Sequence, residues 1–287
     1  MNQLVQDEEH RYPLAVEPMT KGRYVDDICG GADDLEQLDC VALQLIQLCK
    51  AGGFPLAKWK SNHPQLLSSI VSSPESSIEH FFDSSDSKIL GLLWISHSDV
   101  FKFNLKLTPS TTLTKRSILS EIARIFDPLG LISPIVIQAK VILQSLWLEK
   151  LNWDEPLSPR LSQRWFNLQN SLNNLSLITI PRWIHFPSSN QPVQLHGFTD
   201  ASKVALSAVV YLRSIHQDNV SIRLICAKTK VAPLKPCIIP RLELASCALL
   251  VKLVSQVCAT LPIPDQEIFL WTDSSVALAW IKDHPSR

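Results

Sequence analysis

Five carboxylates in this chain stand where acids are costly, which makes chemistry a reasonable explanation for them. Asp26 and Asp27 are adjacent in the stretch RYVDDICGG, residues 23–31. Like charges side by side repel, and a bound cation is the usual way to relieve them. Asp200 closes the apolar run VQLHGFTD, Glu243 follows Pro240 at the start of an apolar helix pattern, and Asp273 closes a second apolar run, EIFLWTD. Acids at the ends of neighbouring core strands, joined by a glutamate from a helix start, make an oxygen-lined pocket for hard divalent ions. Two Mg²⁺ or Mn²⁺ ions in such a pocket stabilise the attacking and leaving oxygens of phosphoryl transfer. Each acid also has a plainer reading: a surface turn for Asp26-Asp27, a strand-end cap for Asp200 or Asp273, a favourable helix-dipole position for Glu243. All three of the later acids in the right order of elements favour a site over three coincidences.

The elements that would position these groups can be read from periodicity. Residues 23–31 predict a strand, a tight turn and a returning strand. Residues 34–50 predict an amphipathic helix, with Leu35, Leu38, Ala42, Leu45, Ile46 and Cys49 at three- and four-residue steps. Asp33 or Asp34 would cap it, and Gly52-Gly53 would end it. Residues 54–60 suggest a short strand, and the Ser-rich stretch 61–87 a loop or insertion. Strands are expected at 88–95 and 100–107, and helices at Thr111–Phe126, from Ser133 to about Lys150, and at 158–175. The last part predicts strands at 193–200, 204–212 and 220–230, a helix from Pro240 to about Thr260, a strand at 267–273 and a helix at 274–283. This is an α/β (α+β) chain with a mixed sheet at its C-terminal end.

Bulk properties exclude several classes. With 46% hydrophobic and 19% charged residues, the 287-residue chain is neither a disordered polyelectrolyte nor short of core material. A net charge of zero argues against a free-standing nucleic-acid binder of the strongly basic kind, though not against a local basic face. Seven cysteines without a C-x-x-C pair exclude a zinc ribbon. With no signal peptide in the sequence, they suit a reducing intracellular compartment, cytoplasm or nucleus. No apolar run reaches membrane-spanning length. The histidines show no metal-protease spacing and the serines no G-x-S-x-G elbow.

Tyr24-Val25-Asp26-Asp27 resembles the Y-x-D-D box of reverse transcriptases. Asp200 in T-D-A-S, Glu243 in R-L-E-L and Asp273 in T-D-S resemble, in that order, the RNase H fold. ILGLLW (89–94) and the segment 114–147, with Phe126-Asp127-Pro128-Leu129-Gly130 inside it, resemble Pol polyproteins of BEL/Pao long-terminal-repeat retrotransposons. The resemblance implies residues 1–110 as the C-terminal part of a reverse transcriptase palm and thumb. It implies 111–185 as a helical connection and 186–287 as a C-terminally truncated RNase H-like domain. Asp26, with Asp27 in support, would bind metal in the palm, with Tyr24 near the primer end. Asp200, Glu243 and Asp273 would hold two ions, Ser202 and Ser274 would shape their pocket, and Arg241 would touch nucleic acid. Lys102, Lys106, Lys115, Arg116 and Arg124 make a basic stretch that in the family lies along the template–primer duplex; a merely solvated face is the alternative.

The implied partners are an RNA–DNA hybrid or template–primer duplex and the rest of the Pol polyprotein, protease and integrase included. The family's upstream palm aspartate has no counterpart in these residues, nor does its fourth RNase H acid. The expectation is therefore no primer extension and weak hydrolysis. A second hypothesis makes the chain a non-catalytic nucleic-acid-binding module or a relic. A third follows from the peptidase name attached to the family. Aspartic peptidases need an Asp-Thr/Ser-Gly turn, whereas Asp200 precedes Ala-Ser and Asp273 precedes Ser-Ser, so that reading is disfavoured.

Overall fold

The computed structural model describes residues 1–72, 87–89, 92–103, 112–186, 192–216 and 219–283. The chain divides into two compact units, Met1–Lys88 with Trp94–Val100, and Ile89–Leu93 with Phe101–Arg287.

In the first unit, α1 (Asn2–Glu8) and α2 (Val16–Thr20) precede a minimal hairpin, β1 (Arg23–Tyr24) and β2 (Asp27–Ile28). The strands are antiparallel, Tyr24 opposite Asp27 and Arg23 opposite Ile28, so Val25-Asp26 form a two-residue turn. Val25 takes the left-handed backbone, φ 56°, that such turns demand. Gly22 is required beside it, because a Cβ there would overlap the carbonyl oxygen of Cys29. The helix α3 (Leu35–Ala51) starts at Asp34, whose carboxylate accepts the Gln37 N–H at 2.8 Å. It buries Leu45, Leu48 and Cys49 against Val5, Ala15 and Met19, and Ala42 and Ile46 against Leu66 and Ile70.

Two expectations fail here. The Ser-rich segment contains a helix, α4 (Pro64–Ser72): Pro64 suits a first turn, and the apolar pair Leu66 and Ile70, one helical turn apart, outweighs serine's weak propensity. Residues 54–60 form no strand. Lys58 has φ 58°, which interrupts extended backbone, and Trp59 turns into the two apolar clusters around α3.

Strands β3 (Ser87–Ile89), β4 (Leu92–Ile95) and β5 (Val100–Lys102) follow, and join β6 (Thr179–Pro181) in a sheet of order β3-β4-β5-β6. The helix α5 (Lys115–Ala123) is shorter than expected. Thr114 captures the Ser117 N–H and Ser117 returns a bond to the Thr114 N–H, which sets the start. Helices α6 (Ser133–Leu148) and α7 (Pro159–Asn173) pack Ala139, Ile142 and Leu146 against Leu161, Trp165 and Leu168.

The C-terminal sheet comprises β7 (Val193–Ala201), β8 (Ala205–His216), β9 (Asn219–Val231) and β10 (Ile268–Thr272), in the order β10-β7-β8-β9. β7, β8 and β9 are antiparallel neighbours, and β10 runs parallel to β7. The helix α8 (Ile239–Cys258) covers one face, burying Leu242, Leu249, Leu250 and Leu253 on Leu195, Val210 and Leu212. A last helix, α9 (Ser275–Lys282), follows β10.

The FDPLG segment explains itself in this unit. Asp127 accepts the N–H groups of Leu131 and Ile132 at 2.8 and 3.0 Å, folding the loop back on itself. The loop then meets the edge strand β9, where the Ala227 N–H donates to the Leu129 carbonyl at 2.8 Å. Gly130, at φ 73°, lies so close that a Cβ would overlap the Ala227 oxygen. From α6, Lys140 and Gln144 donate to the carbonyls of Thr229 and Ala232 at 3.2 and 2.7 Å. The connection thus covers β9 on the outer side of the sheet.

Candidate metal centre

Strand alternation explains how the acids come together. Along β7, Leu195, Gly197 and Thr199 face the core, and the apolar run ends at Asp200. Thr272 of β10 pairs with Thr199 of β7, so Asp273 and Asp200 are the next residues on adjacent parallel strands. Pro240 in the first turn of α8 starts the helix, and Glu243 reaches the same point from it. The carboxylates of Asp200, Glu243 and Asp273 offer oxygens that lie within 4.8 Å of one another. Sequence order alone does not give this distance; the parallel register and the helix start together produce it.

The electrostatics are strained in the direction a cation relieves. Glu243 is 7% exposed. Its Oε2 is buried without a hydrogen-bond partner. Burial, then the charges of Asp200 and Asp273, push its carboxyl above the usual carboxylate range, while the Ala201 N–H acts the other way. That same N–H bonds Asp200 Oδ1 at 2.7 Å, so Asp200 holds a fixed orientation at the strand end. Ser246 Oγ, one turn beyond Glu243 and fully buried, donates to the Glu243 carbonyl at 2.7 Å.

Neighbouring polar groups hold the backbone on either side of the acids. Ser202 closes the β7–β8 turn, accepting the N–H groups of Val204 and Ala205. Ser274 caps α9 by accepting the Ala277 N–H at 3.2 Å. Arg241 is exposed on the first turn of α8, two residues before Glu243. Cys247, one turn along from Glu243, was not singled out by sequence. Burial raises its thiol, while Thr272, just before Asp273, acts the other way. Its position four residues after Glu243 was the available signal.

The other proposed residues are placed differently. Tyr24, Asp26 and Asp27 are all exposed at the hairpin. Among the described residues no third acid, histidine or cysteine joins Asp26 and Asp27 in a cluster able to hold an ion. Lys102 ends β5, half-buried, and Lys106 lies outside the described residues. Lys115 is 6% exposed. Its ammonium sits 3.5 Å from the ring centre of Trp147 and 5.3 Å from that of Trp153, and donates to the Leu151 carbonyl. Arg116 is committed to both carboxylate oxygens of Asp154, at 2.8 and 3.0 Å. The Arg124 guanidinium bonds Glu121 at 3.1 Å.

Comparison with known proteins adds a family. The model of the Pao retrotransposon-like RNaseH-like domain matches residues 114–274, more than half of the chain. That span takes in the connection, all three clustered acids and most of the sheet. A solved foamy viral protease–reverse transcriptase (dRH) in complex with double-stranded DNA is 11% identical, with a TM-score of 0.43 over 96% of this chain and 46% of that one. A second, the foamy viral protease–reverse transcriptase with double-stranded DNA, is 16% identical, with a TM-score of 0.20 over 68% of this chain and 42% of that one. The chain thus spans less than half the length of either. No curated protein matches the sequence. Among the described residues no helix is long and apolar enough to cross a membrane.

Proposed function

This chain belongs to the Pao retrotransposon-like RNase H-like family, and from that premise we propose that its C-terminal sheet is a divalent-cation-dependent nuclease centre for the RNA strand of an RNA–DNA hybrid. The observation that supports this most is the orphaned, buried Oε2 of Glu243 beside two further carboxylates. A buried carboxylate oxygen without a donor is costly. The donor set, oxygens only, is of the hard type that suits Mg²⁺ or Mn²⁺. When bound, such ions supply charge stabilisation at the attacking and leaving oxygens. The chain's own residues do the rest: Asp200 and Asp273 fix the strand-end side of the pocket, Glu243 its helix side, and the Ala201 N–H holds Asp200 in place. Arg241 stands on the exposed rim, where it can meet a backbone phosphate.

In this reading residues 186–287 form the RNase H-like domain, 111–185 the connection and 1–110 the end of a reverse transcriptase palm, all within a retroelement Pol polyprotein. The protein would then work beside the protease and integrase of that polyprotein.

The test is incubation of the purified chain with a labelled RNA–DNA hybrid and Mn²⁺ or Mg²⁺, beside Asp200→Asn. Slow cleavage of the RNA strand that the variant lacks is the expected result. Equal cleavage by both proteins, or no Mn²⁺ binding by calorimetry, would overturn the nuclease reading. Tight, salt-sensitive binding without cleavage would favour the non-catalytic binding module instead.

A further inference from the structure

The end of the sheet that carries the acids also gathers cations. Lys203 lies in the turn between β7 and β8, three residues past Asp200. Lys228 and Lys230 lie near the C-terminal end of β9, opposite Ala208 and Leu206 of β8. Those two partners face α8, so both lysines share the face of the sheet from which Glu243 approaches. The Ala232 N–H donates to the Val204 carbonyl at 2.9 Å, which ties the Lys203 turn to the end of β9. Arg241 completes the arc at the first turn of α8. All four cations are exposed. Among the described residues none of them forms an ion pair. The acids Asp265 and Glu267 belong to the turn before β10 and hence to the opposite end of the sheet.

In a chain with no net charge, four exposed cations at the end of the sheet that carries the acids make a local positive field there. Lys228 and Lys230 are two residues apart on one strand, about 7 Å, a step comparable to that between successive phosphates of a nucleic-acid strand. Lys140 of α6 marks the border of the arc: it is bonded to the Thr229 carbonyl, and burial, then the charge of Lys228, lower its ammonium below the usual range. The nearby Asp127 has both oxygens occupied by backbone N–H groups.

We infer that Lys203, Lys228, Lys230 and Arg241 form a phosphate-binding rim that seats the backbone of an RNA–DNA hybrid across the acid cluster. This rests on the nuclease reading for the identity of the duplex, but its test does not rest on catalysis. The AKTK pattern, residues 227–230, was the sequence signal: lysines at alternate positions of a strand share one face.

The experiment is metal-free binding of the full chain to a fluorescent RNA–DNA hybrid, read by anisotropy, from about 50 to 200 mM salt. The variants are Lys228→Glu with Lys230→Glu, Lys203→Glu, and Lys252→Glu as a control farther along α8. The double variant should bind about tenfold more weakly, with a salt slope reduced by about two. The Lys203 variant should shift in the same direction by less, and the control should bind as the native chain does. All four sites are exposed, so unchanged melting temperatures should accompany these effects. Unchanged affinity and slope in the double variant would overturn the rim, as would a native chain that binds no hybrid. A separate Mn²⁺ titration distinguishes this from failure of the nuclease reading: normal Mn²⁺ binding with no lysine effect removes the rim alone. Lysine-dependent hybrid binding without Mn²⁺ binding keeps the rim and removes the metal centre.

Discussion

The chain holds two groups of acids, and their surroundings differ in every respect that matters for holding an ion. Asp26 and Asp27 stand on a hairpin of two-residue strands, open to water. Asp200 lies near the end of a nine-residue strand and Asp273 follows a five-residue one, in register over five residue pairs, and Glu243 is buried on a helix of 20 residues. Water screens adjacent charges at the hairpin, so their repulsion there costs little. In the triad, burial prevents that relief and concentrates the strain on Glu243. Adjacent acids in a sequence are therefore a weaker sign of a metal centre than distant acids delivered to one point by rigid elements.

Neutralising each group of acids in turn separates them most widely. Asp273→Asn should lower hybrid cleavage by about 10³-fold or more, the scale of losing a group that acts as part of a unit. Asp26→Asn with Asp27→Asn should leave cleavage unchanged. Loss of cleavage in the hairpin variant would mean that the exposed pair belongs to the same machinery.

A second pair of substitutions addresses the supports. Gly130→Ala imposes a side chain at φ 73° and drives it into the Ala227 carbonyl, lifting the loop off β9. A cost of about 2–4 kcal/mol in the stability of the C-terminal unit is expected by denaturant titration. Gly22→Ala meets a similar clash with Cys29, but at the hairpin. It should destabilise the N-terminal unit and spare cleavage. If Gly130→Ala cost nothing, the connection would not be supporting the sheet.

Much of this was legible in the sequence, for identifiable reasons. The α3 helix was readable because Asp34 caps it and its apolar residues repeat at helical steps. β7, β8, β9 and α8 were readable because β strands alternate and α8 has a broad apolar face. The triad could be named because its acids interrupt apolar runs where the pattern predicts element ends. What was not legible depended on tertiary contact. Leu66 and Ile70 make a helix of a Ser-rich stretch only because α3 offers them a partner. Trp59 leaves extended backbone to fill the gap beside α3. Lys115 read as a surface cation, and nothing local showed that Trp147 and Trp153 would enclose it.

The triad's strain has a measurable consequence in the ion-free protein. Glu243 titrates higher in the folded state than in the unfolded chain. Its contribution to stability is therefore fully present below the unfolded carboxylate value and is lost as pH rises through the raised folded value. Glu243→Gln should remove that decline and raise the neutral-pH melting temperature of the ion-free protein. In the native chain, Mn²⁺ at a hundred times its dissociation constant should add about 2.7 kcal/mol, several degrees of melting temperature. The Gln variant should gain much less. Equal gains in both, or a native stability that rises over this pH range, would show that Glu243 is not a ligand. The exposed hairpin predicts no comparable shift, so Asp26→Asn should leave the Mn²⁺ response intact.

The smallest expected effect concerns the basic residues that the sequence pattern placed along the template–primer duplex. Lys115 is enclosed by aromatic rings and a carbonyl, whereas Arg116 is exposed and paired with Asp154. A desolvated cation–π contact contributes about 2 kcal/mol and an exposed ion pair about 0–1 kcal/mol. Lys115→Met keeps the stem and removes the charge, so it should cost about 1–2 kcal/mol in denaturant titration. Arg116→Ala should cost less. Neither should weaken hybrid binding as the Lys228 and Lys230 double variant does, because neither cation is free to leave its partner for a phosphate. A Lys115→Met protein of native stability but weakened, less salt-sensitive hybrid binding would reverse the assignment. It would place the nucleic-acid track along the connection, as the sequence pattern suggested, and away from the rim of the acid cluster.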